Sequence, residues 1–263
     1  MRQTMYIPTG NEKISLPMIR QHDAAIMDAT FLHMGYRGMI ELRGGEVPFM
    51  QPVLAVDGRE MILNGMGWEN MSHWIPRFSM EGVGWLLSGT ILAPIGERGF
   101  MIRLSVRNTS NKMHSYNIGL TGCWADSIHA INESKPIDAQ KVLYESDWNH
   151  NYVFDLRQDV TVFSIAPMTT EELDVKKARM LGDRIEYVFT KKIELGPGEE
   201  RSSDFAWGFG MEEVGAATAA KEMVRHGFDT ELKRTVDWLD ARTRRAEDPR
   251  INELMNKNLF FNF

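Results

Sequence analysis

The sequence has little cysteine and no long apolar run. Its 263 residues contain one cysteine, Cys123, so no disulfide can form within the chain, and a reducing, cytoplasmic setting is expected. No window of about 18 residues is continuously apolar, which gives no indication of a membrane-spanning helix. The first ten residues lack the basic and apolar regions of a secretory signal, so none is predicted.

Basic residues are also fewer than acidic ones. The chain has 30 lysines and arginines against 36 aspartates and glutamates, which gives a net charge of −6. Because nucleic-acid binding needs a clustered basic face, no nucleic-acid partner is expected. A neutral or weakly polar ligand, such as a carbohydrate, suits this balance better.

Motifs for metals and cofactors are missing as well. The seven histidines are scattered, without the His-x-x-x-His or cysteine spacing of common metal sites. There is no glycine-rich phosphate loop and no Gly-x-Ser-x-Gly nucleophile motif. Neither a cofactor nor a metal is therefore predicted. Several carboxylates could serve acid–base chemistry, but the sequence gives no means of pairing them: Glu69, Glu81, Asp126, Glu145 and Asp147.

What the chain does have is strand periodicity over residues 1–210. Phe100–Val106 alternates apolar and polar residues, which predicts a half-buried antiparallel strand. Similar runs, separated by turn residues, are Tyr116–Trp124, Val53–Leu63, Gly84–Leu92, Tyr152–Leu156, Val160–Ile165, Arg184–Leu195 and Ser203–Phe209. Many strands without helices between them predict a mostly β protein, a large antiparallel two-sheet β-sandwich.

Helical periodicity begins after Gly210. Met211–Gly227 is alanine-rich, Phe228–Arg245 carries an apolar stripe, and Asp248-Pro249 opens a further helix. Residues 211–263 are therefore predicted to be a helical linker toward a missing or separate (α/α) domain. The apolar ending Leu259, Phe260, Phe261 and Phe263 favours an interface with that domain or with a second chain. The alternative is that this helix folds back onto the sandwich.

Several segments together resemble a known family. They are "RLSVRNTS" (Arg103–Ser110), "IELGPGEERSSDFAWGFG" (Ile193–Gly210), "TVDWLDART" (Thr235–Thr243) and "EDPRINELMNKNLFF" (Glu247–Phe261). The order resembles the N-terminal supersandwich, a galactose-mutarotase-like domain, of glycoside hydrolases and phosphorylases with an (α/α)6 barrel. The resemblance implies an accessory domain that is non-catalytic alone, with the catalytic carboxylates in a barrel beyond Phe263.

Aromatic side chains beside polar ones are candidates for a carbohydrate site, because a pyranose offers an apolar face and a polar rim. Residues 147–152 contribute Trp148 and His150, and residues 67–74 contribute Trp68 and Trp74. Both segments are also compatible with ordinary strand connections. Trp124 sits at a strand end, but it shares parity with core positions, so a core role is the alternative for it.

One further segment gives a rival interpretation. "NKMHSYNIGLTG" (Asn111–Gly122) resembles the histidine-bearing strand of aldose 1-epimerases, which implies His114 as a general acid. Asn111 and His114 are not adjacent, as that motif requires, and no matching C-terminal glutamate is found. A stand-alone, sugar-binding homo-oligomer is the third interpretation that stays open.

Overall fold

The computed structural model describes residues 5–33, 38–71, 74–129, 135–147, 149–243, 247–252 and 254–255. Eighteen strands and two named helices lie within these ranges. All of the strand pairs are antiparallel; the first and last of the eighteen are β1 (Tyr6–Gly10) and β18 (Glu200–Gly210). The protein is thus mostly β, as the alternating pattern predicts.

The largest sheet has eight strands. Their order is β13 (Gln140–Glu145), β14 (Tyr152–Arg157), β15 (Thr161–Thr169), β18, β10 (Gly99–Asn108), β9 (Trp85–Leu92), β8 (Ile75–Gly82) and β7 (Gly67–Met71). The centre of this sheet is the pair β10–β18, in register from Gly99↔Gly208 to Arg107↔Glu200. The predicted strands at Phe100–Val106 and Ser203–Phe209 are therefore neighbours in space.

The other strands form two sheets of five. One has the order β1, β2 (Ile14–Arg20), β3 (Asp28–His33), β4 (Gly38–Arg43) and β12 (Asp126–His129). The other has the order β16 (Val175–Leu181), β17 (Arg184–Leu195), β11 (His114–Trp124), β5 (Gln51–Val56) and β6 (Arg59–Glu60). The predicted mostly β sandwich is thus confirmed, and its described strands form three antiparallel sheets around one core.

That core is aromatic at its centre. The ring of Trp207 on β18 is 1% exposed and lies 4.9 Å from Tyr187 and 5.9 Å from Phe154, measured between ring centroids. Buried residues from all three sheets belong to the same cluster. A continuous core of this kind makes the sandwich one cooperative unit.

Two helices cover part of the opposite face of the eight-stranded sheet. They are α1 (Glu213–His226) and α2 (Phe228–Asp240). Helix α1 packs on β18 and β15 through small residues, and a Cβ placed on Gly208 would lie 2.1 Å from the Ala216 carbonyl oxygen. The alanine-rich pattern of α1 is thus a packing requirement, since larger residues would hold the helix away from the sheet.

The junction of α1 and α2 contains a buried charge. Gly227 joins the helices at φ 80°, a conformation that glycine adopts without steric cost. The Glu231 carboxylate is completely buried, and its Oε1 lies 2.5 Å from His226 Nδ1 and 3.4 Å from Arg234 Nη1. Its Oε2 is buried without a hydrogen bond. This contact links the end of α1 to the first turn of α2.

Asp28 on β3 is a second buried carboxylate, 6% exposed. Burial, together with the neighbouring Glu41 carboxylate, raises its pKa from 3.8 to about 6, while Arg43 opposes the shift. The folded protein therefore holds this proton over a pH range in which the unfolded chain has lost it. The stability that Asp28 contributes is present below about pH 4 and is lost as the pH rises through about 6.

Replacing Asp28 with asparagine should therefore stabilise the protein at pH 7.5. A two-unit shift corresponds to about 3 kcal/mol, and partial solvation reduces the expected gain to about 1–2 kcal/mol. Urea unfolding of both proteins at pH 7.5 and pH 4.5 measures the difference between them. We expect the advantage of Asp28→Asn to shrink at pH 4.5; an equal gain at both pH values would argue against the raised pKa.

Candidate functional site

A cleft of about 350 Å³ lies between the β1–β2 hairpin and helix α2. Trp74 and Trp238 both line it. Its remaining walls are mainly aliphatic and include Leu32, Met39, Ile75, Leu92, Ile95 and Leu239. This size and lining are typical of a small-molecule site.

The hairpin wall of the cleft is fixed by polar contacts. Asn11 Nδ2 donates to the carbonyl oxygens of Pro94 at 2.5 Å and Glu97 at 3.0 Å, and its Oδ1 accepts the N–H groups of Lys13 and Ile14. Lys13 Nζ donates to the Gly96 carbonyl. The turn between β1 and β2 is thereby held against the β9–β10 connection, so this wall is preorganised.

Polar groups stand at the rim of the same cleft. Glu12 uses one carboxylate oxygen, Oε1, to accept the N–H of Gly96 at 2.9 Å. Thr9 and Ser15, on β1 and β2, also line the cleft. A carboxylate and two hydroxyl groups beside aromatic walls can both accept and donate hydrogen bonds.

Trp74 occupies an unusual backbone conformation. Its φ is 64°, which is rare for a bulky residue and costs on the order of 1–3 kcal/mol. The next residue, Ile75, is buried in the cluster beneath α2. The strained residue directly precedes this buried one and lines the cleft, and strain of this kind is concentrated at functional sites.

Trp238 forms the facing wall. It belongs to α2, where Thr235, Trp238 and Leu239 follow the spacing of one helix face and all line the cleft. The Arg242 guanidinium lies 3.5 Å from the centre of the Trp238 ring. Trp238 was not predicted as a site residue, although this helical spacing was the available signal.

The other predicted aromatic residues lie elsewhere. Trp68 on β7 packs 5.5 Å from the ring of Phe78, and its Nε1 donates to the Gln21 carbonyl at 2.6 Å. Trp124 is completely buried, and its Nε1 donates to Ser127 Oγ at 3.0 Å. The Trp124 ring therefore belongs to the core, which its parity also indicated, and is not available to a ligand.

Residues 149–151, which precede β14, lie next to β16. His150 is exposed at φ 52°, and its carbonyl accepts a hydrogen bond from Lys176 Nζ at 2.5 Å. Trp148 lies outside the described residues, as do Leu259, Phe260, Phe261 and Phe263. The structure therefore brings Trp74, but neither Trp68 nor His150, to the cleft beside α2.

A second groove, of about 580 Å³, runs over the outer face of the sheet formed by β5, β11, β17 and β16. Tyr152 and Cys123 line it, but Cys123 is 1% exposed and burial raises the pKa of its thiol. Arg179 and Glu186, also in the lining, pair with each other at 2.8 Å. A buried thiol and a neutralised ion pair leave few polar groups to recognise a ligand.

His114 lies at one end of the sandwich. Its Nδ1 is 2.6 Å from Asp57 Oδ2, and the other Asp57 oxygen accepts the Ser115 N–H at 2.9 Å. These hydrogen bonds lower the pKa of Asp57. The contact closes the turn between β5 and β6 onto β11, and His114 lines neither of the two clefts described above.

One pair of carboxylates meets at the start of α1. Tyr144 Oη donates to Glu213 Oε2 at 3.0 Å and lies 3.3 Å from Asp155 Oδ2. Arg157 donates to the same Asp155 oxygen at 2.6 Å. Burial and the two carboxylates raise the pKa of Tyr144. Asp155 is 1% exposed, so this cluster ties β13 and β14 to α1 and does not present a pair of accessible acids.

Within the described ranges, no three His, Cys, Asp or Glu side chains are grouped so that they could hold a metal ion. Within the same ranges, no helix is long and apolar enough to cross a membrane.

Comparisons of the sequence with family models and with curated proteins find no match. Solved structures do match. A protein described as a kojibiose phosphorylase, from the human microbiome, aligns with a TM-score of 0.54 at 10% identity, over 88% of this chain and 34% of that one. A polysaccharide lyase aligns with a TM-score of 0.54 at 11% identity, over 81% of this chain and 35% of its own.

A third solved structure is matched over nearly its whole length. A protein described as an aldose 1-epimerase, from Escherichia coli K12, aligns with a TM-score of 0.51 at 11% identity, over 79% of this chain and 99% of that one. The chain thus spans about one third of the phosphorylase and the lyase, and nearly all of the epimerase. Identities this low show a shared fold and do not assign an activity.

Proposed function

We propose, from the premise that this chain has the galactose-mutarotase-like supersandwich fold, that it is an accessory domain of a carbohydrate-active enzyme. In this role it packs against a helical catalytic domain of the (α/α)6 kind and is non-catalytic alone. The sandwich supplies a rigid wall, and the helices after β18 connect it to the catalytic domain.

The extent of the alignment with the phosphorylase supports this role. An overlap of 88% of 263 residues is about 231 residues, more than the 210 that end with β18. At least part of the helical region must therefore align as well. The overlap with the epimerase, 79% of the chain or about 208 residues, does not require the helices.

The surface of the last described helix also supports it. Residues 249–252 and 254–255 are helical, and Ile251, Leu254 and Met255 are 49%, 61% and 38% exposed. Their spacing places the three on one face of the helix. Exposed apolar residues grouped in this way mark contact surfaces.

Sedimentation analysis of the full chain at several concentrations tests this assignment. An accessory domain without its catalytic partner should be monomeric, or should associate weakly and lose that association in the variant Leu254→Lys. Ser79→Lys, on an exposed strand position, is the matched control. A dimer that persists on dilution, and that Leu254→Lys abolishes, would instead favour the stand-alone homo-oligomer.

A second candidate is an aldose 1-epimerase-like enzyme that uses His114. The nearly complete coverage of the epimerase structure favours it. Against it stands the contact of His114 Nδ1 with Asp57, which gives the histidine a role in closing a turn. Anomer interconversion by the purified chain separates this candidate from the accessory role.

A further inference from the structure

We propose that the cleft between the β1–β2 hairpin and α2 is a binding site for a neutral pyranoside, with Trp74 and Trp238 as its aromatic walls. The choice of a sugar rests on the proposed function. The existence of the site rests on the geometry of the cleft alone.

The size of the cleft fits such a ligand. A volume of about 350 Å³ lies within the range of small-molecule pockets, which begins at roughly 300 Å³. It accommodates one or two pyranose rings, whereas a macromolecular partner would need a larger surface. The aromatic walls provide the stacking surface that the C–H face of a pyranose needs, and such contacts contribute through burial of apolar area.

To recognise the hydroxyl groups around a pyranose ring, the cleft also needs polar groups. Glu12 has a second carboxylate oxygen beyond the one that accepts the Gly96 N–H, and Thr9 and Ser15 add hydroxyl groups. A carboxylate accepts strong hydrogen bonds from neighbouring hydroxyl groups. Because the Asn11 and Lys13 contacts fix the hairpin, these groups are held in place before a ligand arrives, which lowers the entropic cost of binding.

Two observations argue that the aromatic residues are positioned for a ligand. Trp74 keeps a strained φ of 64°, and the Arg242 guanidinium stacks on the Trp238 ring. The Arg242 contact lies over one face of the Trp238 ring, and the Trp74 backbone keeps a conformation that costs free energy. An aromatic residue that served only the core would not require a strained backbone at the mouth of a cavity.

Calorimetric titration of the full chain with methyl α-glucopyranoside and with kojibiose tests the proposal. We expect saturable binding of at least one of them, weakened about tenfold or more by Trp238→Ala and by Glu12→Gln. Trp68→Phe is the matched control, because Trp68 packs beside Phe78 away from the cleft, and it should leave the affinity unchanged. Circular dichroism checks that each variant is folded.

Three outcomes overturn the site. In the first, Trp238→Ala and Glu12→Gln leave the affinity for the sugar unchanged. In the second, neither sugar binds to the folded chain. In the third, an apolar dye binds to the chain and neither sugar displaces it. None of them contradicts the accessory role, which is tested separately by sedimentation and by activity.

Discussion

Replacing Gly208 with alanine is expected to lower the free energy of unfolding by about 3 kcal/mol, because the added methyl group has no room beneath α1. An ideal Cβ at this position would lie 2.1 Å from the Ala216 carbonyl oxygen and 2.6 Å from the Ala220 backbone nitrogen. Both neighbours are backbone atoms of a helix, so relief requires the whole helix to move. Chemical denaturation measures the loss.

The matched control is Gly67→Ala on β7 of the same sheet. There the new Cβ would lie 3.6 Å from the Ser79 carbonyl oxygen, an ordinary contact, so stability should change little. Equal effects of the two substitutions would mean that α1 is not seated on β18 as described.

Removing His226 is the second substitution with a large expected effect. His226→Ala takes away the closest partner of the buried Glu231 carboxylate and leaves Arg234 Nη1 at 3.4 Å. Loss of one member of a buried pair is costly because the remaining charge stays out of water. Since His226 is partly exposed, we expect a loss of about 2 kcal/mol, measured by urea unfolding.

The double variant His226→Ala with Glu231→Gln separates charge burial from lost packing. If the unpaired charge causes the loss, the double variant should recover more than half of it, since an amide tolerates burial better than a carboxylate. Lys233→Ala, which breaks an exposed pair with Asp237 on α2, should have no measurable effect. A double variant less stable than His226→Ala would contradict this explanation.

The sequence predicts the central strands of two of the three sheets because each has one apolar face, whereas β3, the middle strand of the third sheet, was not predicted. The predicted range Arg184–Leu195 is the observed β17, and the run at Phe100–Val106 lies within β10. The strand at Gly67–Met71 and the edge strand Val175–Leu181 were not predicted, since few of their residues are buried. Without a buried face, a strand carries no alternation for the sequence to reveal.

Assembly into sheets was harder to predict. The run Val53–Leu63 was predicted as one strand, but Asp57-Gly58 divides it into β5 and β6. The third sheet arises because the strands from Tyr6 to Arg43 pair among themselves and with β12. The pairing of β4 with β12 joins residues far apart in the chain, such as Arg43 and Asp126, and local periodicity does not contain it.

The residues of the candidate cleft likewise could not be grouped from the sequence. Trp74 was selected from a polar, aromatic segment, whereas Glu12 and Trp238 join it from the first hairpin and from α2. No spacing rule connects these three positions, since tertiary packing alone brings them together. The burial of Trp124 was indicated by its parity with Tyr116 and Leu120, so strand parity was the better guide for that residue.

Polarimetry of the purified chain tests the central claim, that this sandwich is non-catalytic alone, most directly. The optical rotation of freshly dissolved α-glucose and α-galactose is followed with and without protein at neutral pH. The accessory role predicts that both sugars equilibrate at the rate seen in buffer, for the wild type and for His114→Ala alike. An acceleration by the wild type that His114→Ala abolishes would contradict the account and assign the chain to the epimerase-like enzymes.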